Sequence, residues 1–159
     1  MADELAVWLF ADRVGTLALV DGRLSFCYAP DWLSHKDAVA LSASLPLQAE
    51  PFDDRKTRPF FAGLLPEGQM RRLIAQQFQV SNQNDFALLN HIGGECAGAV
   101  TFLEPGQALP VPTRSDDVQW LSDEEVVAIL DELPRRPMLA GKDGLRLSLA
   151  GAQEKLPVV

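Results

Sequence analysis

Asp21-Gly22 is the pair that most constrains how this chain folds. It separates two runs with strand-like alternation, Val14 to Val20 and Arg23 to Tyr28. A tight two-residue turn between antiparallel strands needs positive φ, which Asp-Gly supplies at little cost. Leu24, Phe26 and Tyr28 alternate with Arg23, Ser25 and Cys27, so one face of the second run turns toward a core. Ala6 to Phe10 is a further short apolar strand ahead of the pair. Together these runs predict a small antiparallel meander.

The rest of the chain reads as a mixture of strands and helices. Pro30 to Ser34 is a turn or a single helical turn, and Leu41 to Leu47 alternates like a strand that ends near Pro46. Residues 49–58 are polar and proline-flanked, which predicts a loop. Phe60 to Gly68 leads into a helix, with Pro66 suited to its first turn and Met70, Leu73, Ile74 and Phe78 at helical spacing. A second helix is expected from about Asn82 to His91, with Ser81 as its cap and Gly93-Gly94 at its end. Ala99 to Leu103 reads as a strand. Residues 105–120 are rich in Pro, Gly and Asp and form the best candidate boundary between a unit at 1–104 and a second at 121–159. Ser122 and Glu125 stand three apart, the spacing of a capping box that opens a helix ending at Pro134. Leu145 to Leu149 and Leu156 to Val159 read as strands around a small-residue turn, Ala150 to Lys155. The expected class is α+β: a small antiparallel meander or partial barrel packed with helices, then a helix and a hairpin.

Charge excludes one class of function. The net charge is −8, with 22 acids against 14 bases, and nucleic-acid binding by the chain alone needs a concentrated positive face. Arg55 to Arg58, Arg71-Arg72 and Arg135-Arg136 are short basic stretches that read as solvated faces. Cys27 and Cys96 make neither a disulfide framework nor a zinc site and read as small buried thiols. The N-terminus lacks the order of a signal peptide, and no run approaches the roughly 18 apolar residues of a membrane span. A cytoplasmic location, with no membrane partner, is the expectation.

Few residues suggest catalysis. His35 and His91 sit in no metal-ligand spacing, and His91 suits a helix C-terminus. Asp53-Asp54 and Asp116-Asp117 read as solvated loop acids. Ser148 has only Lys155 within reach, across the proposed turn. No nucleophile elbow, His-Glu-x-x-His or Walker loop occurs. The turn Ala150-Gly151-Ala152-Gln153-Glu154-Lys155 fits two descriptions. It is an ordinary hairpin, or a loop whose small residues let backbone N–H groups approach phosphate, with Lys155 adding charge.

Several motifs in order resemble the HipA family, the Ser/Thr kinase toxins of bacterial type II toxin–antitoxin systems. Arg146 to Lys155 resembles the start of that family's kinase core. Leu41 to Leu47, Phe60 to Gly68 and Asp85 to Val100 resemble its N-terminal region, as does Tyr28 to Leu33. Gly63 stands where asparagine is common in the family. The resemblance implies a protein kinase using ATP and Mg²⁺, with an aminoacyl-tRNA synthetase as the class of target. It implies growth arrest and persistence as the outcome, and a HipB-like helix-turn-helix antitoxin as partner, with DNA contacted mainly through the antitoxin. By position, Ala150, Gly151, Ala152, Gln153, Glu154 and Lys155 become the nucleotide-covering loop and the start of a kinase-like N-lobe hairpin. Ser148 becomes the site of silencing autophosphorylation, since a dianionic phosphate there competes with the charge of ATP.

The catalytic part of the pattern is missing from these residues. Phosphoryl transfer needs a third-strand lysine, a catalytic aspartate and metal-holding acids or amides, and in this family they follow the small-residue loop. Neither Asp-Phe-Gly nor His-Arg-Asp occurs. The expectation is that this chain holds no catalytic or metal-binding residue, catalyses no phosphoryl transfer and binds ATP weakly if at all. Two readings follow: the N-terminal portion of a HipA-like kinase, or a stand-alone interaction module acting as antitoxin or regulator of a separate kinase. The intact Arg146 to Lys155 motif favours the first.

Overall fold

A computed structural model describes residues 3–95, 99–109 and 120–132. Strands β1 (Glu4–Leu9), β2 (Asp12–Val20) and β3 (Arg23–Tyr28) form the meander. Asp21 and Gly22 turn between β2 and β3 with φ of 49° and 75°, the positive pair that the sequence predicts. A fourth strand, β4 (Val100–Leu103), pairs antiparallel with β1, giving an open four-stranded sheet in the order β3-β2-β1-β4.

Register sorts the side chains. Leu5 faces Leu17, and Leu17 faces Phe26. All three are buried, as are Val7, Leu24, Tyr28 and Phe102. The pairing of β1 with β2 shifts at Val7/Trp8, which sets Val14 beside Gly15 in the buried layer. Gly15 is required there. A Cβ at this position would lie 2.4 Å from the Cys27 carbonyl oxygen and 2.6 Å from the Phe26 ring.

Helices cover this face. They are α1 (Pro30–Leu33), α2 (Asp54–Ala62), α3 (Gly68–Gln77) and α4 (Asp85–Ile92); a 3₁₀ turn, Gly93–Glu95, follows α4. Phe26 is the centre of an aromatic chain. Its ring lies 4.8 Å from Tyr28, 6.2 Å from Phe52 and 5.2 Å from Phe61, which in turn lies 5.6 Å from Phe102. Offset and edge contacts of this kind add to the burial of apolar area. One aromatic cluster therefore ties β3, the segment at Phe52, α2 and β4 together. A fifth helix, α5 (Asp123–Glu132), opens with the expected capping box. Ser122 Oγ accepts from Glu125 N at 3.3 Å, and Glu125 Oε2 accepts from Ser122 N at 2.8 Å.

Four local expectations change. Leu41 to Leu47 is not a strand: Leu45 N donates to Ser42 O at 3.0 Å, closing a tight turn with Leu45 fully buried. Residues 54–58 are not loop but the start of α2, because the Asp53 carboxylate caps the helix by accepting from Lys56 N. Pro66 lies ahead of α3 rather than in its first turn, since Glu67 is the cap. The α4 helix likewise begins later than expected, on Asn84 rather than Ser81, with Asn84 Oδ1 accepting from Ala87 N. The strands expected at Leu145 to Leu149 and Leu156 to Val159, and Cys96, lie outside the described residues.

Candidate functional site

Two polar centres anchor the motif at Leu41 to Leu47 and the start, Asp85, of the motif at Asp85 to Val100. The first is the Tyr28 hydroxyl. It donates to Leu45 O at 2.6 Å and accepts from Leu41 N at 2.8 Å. The alternation of β3 sends this ring inward, and its polar tip reaches the turn that the sequence alone reads as a strand. Burial pushes the phenol above its ordinary range, partly offset by the Leu41 N–H.

The second centre is Arg58. Its position in α2 puts it one turn after Asp54, and the guanidinium Nε lies 3.1 Å from both Asp54 carboxylate oxygens. Nη1 donates to Asp85 Oδ2 at 2.6 Å, and Nη2 reaches Gly22 O at 3.3 Å. The other oxygen of Asp85 accepts from Arg71 Nη2 at 2.5 Å, while Arg71 Nε donates to Asn82 O at 2.6 Å. Asp54 Oδ1 also accepts from Leu24 N at 2.6 Å. The network therefore joins the β2–β3 turn, α2, α3 and α4. The Arg58 hydrogen bonds, with the Leu24 N–H and the charges of Arg58 and Arg23, hold the Asp54 carboxyl below the usual carboxylate range against its partial burial. The carboxylates of Asp54 and Asp85 in turn raise Arg58 further above its ordinary value, against its own partial burial.

This corrects two readings of charge. Arg58 and Arg71 are not a solvated basic face, because each is spent on carboxylates. Asp53 and Asp54 are not idle loop acids, because one caps α2 and the other binds Arg58. Sequence reasoning missed the network since Asp85 is 27 residues from Arg58 and 14 from Arg71. The Asp54/Arg58 spacing of four was the one local signal for it.

Both histidines stack on aromatic rings: His35 on Trp32 at 5.5 Å and His91 on Phe78 at 4.6 Å. Cys27 is half-buried, with its thiol toward Ala49 O and Tyr28 O at 3.5 Å. A shallow pocket of about 280 Å³ lies beside Arg58, between Gly22 and Asn84. Among the described residues no group of three His, Cys, Asp or Glu converges to hold a metal ion. The charges around Arg58 are already matched by one another. Ser148 and the loop Ala150 to Lys155 lie outside the described residues. No helix among the described residues is long and apolar enough to cross a membrane.

Comparison with known proteins places this geometry. The model of the HipA N-terminal domain matches residues 5–103. The Sinorhizobium fredii protein Y4mE is 51% identical over 142 residues, covering 87% of this chain and 33% of that protein. The Shewanella oneidensis serine/threonine-protein kinase toxin HipA is 31% identical over 129 residues, 81% of this chain and 28% of the toxin. The solved complex of Shewanella HipA, HipB and operator DNA contains a chain matching at TM-score 0.69 and 29% identity, over 96% of this chain and 34% of that one. A Haemophilus influenzae protein is 30% identical over 101 residues, 64% of this chain but 92% of that protein. The chain spans about a third of the length of the Sinorhizobium and Shewanella proteins. Its sheet, its helices and its ordered motifs identify it as a member of the HipA family, matching that family's N-terminal domain.

Proposed function

We propose that this chain is the N-terminal portion of a HipA-like toxin, a Ser/Thr protein kinase that arrests growth in the cytoplasm. The supporting observation is that similarity to Shewanella HipA runs over 96% of the chain, well past residue 103 where the N-terminal domain ends. In this reading residues 1–104 are the N-terminal subdomain, 105–120 a linker and 121–159 the entry to the kinase core. Ala150 to Lys155 covers ATP, and Ser148 is the autophosphorylation site. Mg²⁺ and ATP would serve the whole protein, whose substrate is a translation factor of the aminoacyl-tRNA synthetase class. A HipB-like antitoxin neutralises the toxin and carries most of the DNA contact, in keeping with a net charge of −8 here.

This chain by itself is proposed to be catalytically inactive. The residues needed for phosphoryl transfer are not among its 159, and the Arg58 network is internally neutralised. Titration of the chain with Mg²⁺-ATP tests this: no binding is expected, and micromolar Mg²⁺-dependent binding would refute it. Reading the gene past Val159 tests the larger claim. A frame continuing into a lysine-bearing strand and a catalytic Asp/Asn loop is the expected result.

A second reading draws on the Haemophilus relative, 92% of which aligns with this chain. A protein little larger than this domain supports a stand-alone module acting on a separate kinase. A stop codon after Val159 with a kinase gene alongside would favour it.

A further inference from the structure

Asp21 and Gly22 fill the two central positions of the β2–β3 turn, between the paired residues Val20 and Arg23. Their φ values, 49° and 75°, are both positive, which makes the turn type I′. Both residues are exposed. Among the described residues neither the Asp21 carboxylate nor the Gly22 N–H has a hydrogen-bond partner. Nothing lies within 4 Å of where a Gly22 Cβ would sit. Arg58 Nη2 reaches Gly22 O at 3.3 Å, which tethers the far side of Gly22 and leaves the Asp21–Gly22 peptide free. A flip of that peptide converts type I′ to type II′, carrying ψ at Asp21 to about −120° and φ at Gly22 to about −80°. At that ψ the Gly22 nitrogen eclipses Asp21 Cβ, because the substituents of a tetrahedral Cα are a third of a turn apart. Glycine takes either sign of φ without a steric penalty, and both turn types close the same two-residue hairpin. The carboxyl carbon and the backbone nitrogen therefore meet without unfolding the sheet.

We infer that Asp21-Gly22 is a site of spontaneous isoaspartate formation in the folded chain, with water as the only co-reactant. Gly22 N attacks Asp21 Cγ. The N–Cγ bond forms, a Cγ–O bond breaks, and the amide proton leaves with that oxygen as water. Water then adds to the Asp21 main-chain carbonyl of the five-membered ring and breaks its bond to nitrogen. The main chain now runs through Asp21 Cβ and Cγ, one atom longer, and the carboxylate sits on Cα. A tight hairpin is set by the atoms in its loop, so Gly22 O is displaced from Arg58 and the turn loses its tie to α2. Asp54 and Asp85 are held from the same step. Their carboxylates are bound by Arg58, and their peptides lie in α2 and α4. Asp143-Gly144 repeats the dipeptide but lies outside the described residues.

The test keeps the folded 159-residue chain in heavy-oxygen water near neutral pH, well below its melting temperature, and digests it afterwards in ordinary water. Trypsin, cutting after Arg13 and Arg23, releases Val14 to Arg23 as one peptide in which Asp21 is the sole acid. That peptide is expected to gain a heavy oxygen and to split into two chromatographic forms of equal mass, of which an aspartate-specific protease cuts one. The type II′ form is strained at Asp21, so conversion should run about tenfold slower than in the free peptide Val14 to Arg23. Fragmentation should find no label at Asp54 or Asp85 over the same period. Asp21→Glu, which would need a larger ring, should leave the peptide unlabelled. No label at Asp21 by the time the free peptide is half converted overturns the inference. Equal label at Asp21, Asp54 and Asp85 also overturns it, because the reaction then belongs to the unfolded chain and not to the turn.

Discussion

Asp85 and Arg58 close a 2.6 Å ion pair between α4 and α2, with the Asp85 side chain only 10% exposed. Arg71 from α3 occupies the other oxygen, so one carboxylate holds three helices in register. Removing a single partner from such a cluster costs more than the cluster itself contributes, because the remaining charges stay desolvated and unmatched. Asp85→Ala is therefore expected to lose about 3 kcal/mol of stability. Urea denaturation checks it: the midpoint should fall with the slope unchanged.

Acid should weaken the fold through Asp54. Its folded carboxyl sits below the ordinary range, chiefly through the Arg58 hydrogen bonds. The unfolded state takes up a proton near its ordinary pKa of about 3.9, while the folded state resists. The stabilisation is thus fully present above that pH and is lost as pH falls through the folded value. Asp54 is 31% exposed, so salt screens part of the effect. Asp54→Asn should flatten the acid limb of a stability–pH profile recorded at low salt. An unchanged limb would show that the carboxylate contributes nothing.

Gly15 and Gly22 separate two reasons for glycine. Gly22 has open space around a missing Cβ and only its φ of 75° to satisfy. Gly22→Ala should cost about 1 kcal/mol. At Gly15 the added methyl meets backbone oxygen at 2.4 Å, and neither β3 nor the Phe26 ring can yield without disturbing the aromatic chain. Gly15→Ala should cost about 3 kcal/mol, at the upper end of overpacking effects. Thermal melts of the two variants side by side give the comparison, and equal losses would contradict it.

What could be read from the sequence was local. The Asp21-Gly22 turn, the alternation of Leu24, Phe26 and Tyr28, and the Ser122/Glu125 box each signal within a few residues, and each has the expected geometry. Helix α2 was missed because its amphipathic signal is thin. Among its residues only Thr57 and Phe61 are buried, and Pro59 inside it reads as a breaker. Leu41 to Leu47 alternates convincingly, yet its alternation serves a turn whose carbonyl and N–H are taken by a tyrosine 13 to 17 residues earlier. The Arg58 network was invisible for the same reason: its members meet only after three helices have packed. The family motifs were recognisable as a series, but their physical role emerges only from these long-range bonds.

Tyr28 provides the sharpest check on that role. Its hydroxyl supplies a donor to Leu45 O and an acceptor to Leu41 N. Tyr28→Phe keeps the ring against Phe26 and Phe52 but strands two backbone groups, at a cost of about 2 kcal/mol. The loss should be focused on one turn, so hydrogen exchange at the Leu41 amide is expected to accelerate more than exchange in β2. Alkali offers an independent readout. Burial raises the phenol in the folded state, while the unfolded chain ionises at its ordinary value of about 10. The favourable difference is fully present below that pH and is lost as pH rises toward the folded value. The parent should therefore weaken above about pH 10 in a way that Tyr28→Phe does not. Parallel alkaline limbs in parent and variant would show that the phenol ionises as readily in the folded chain as in the unfolded one, against the burial that raises it.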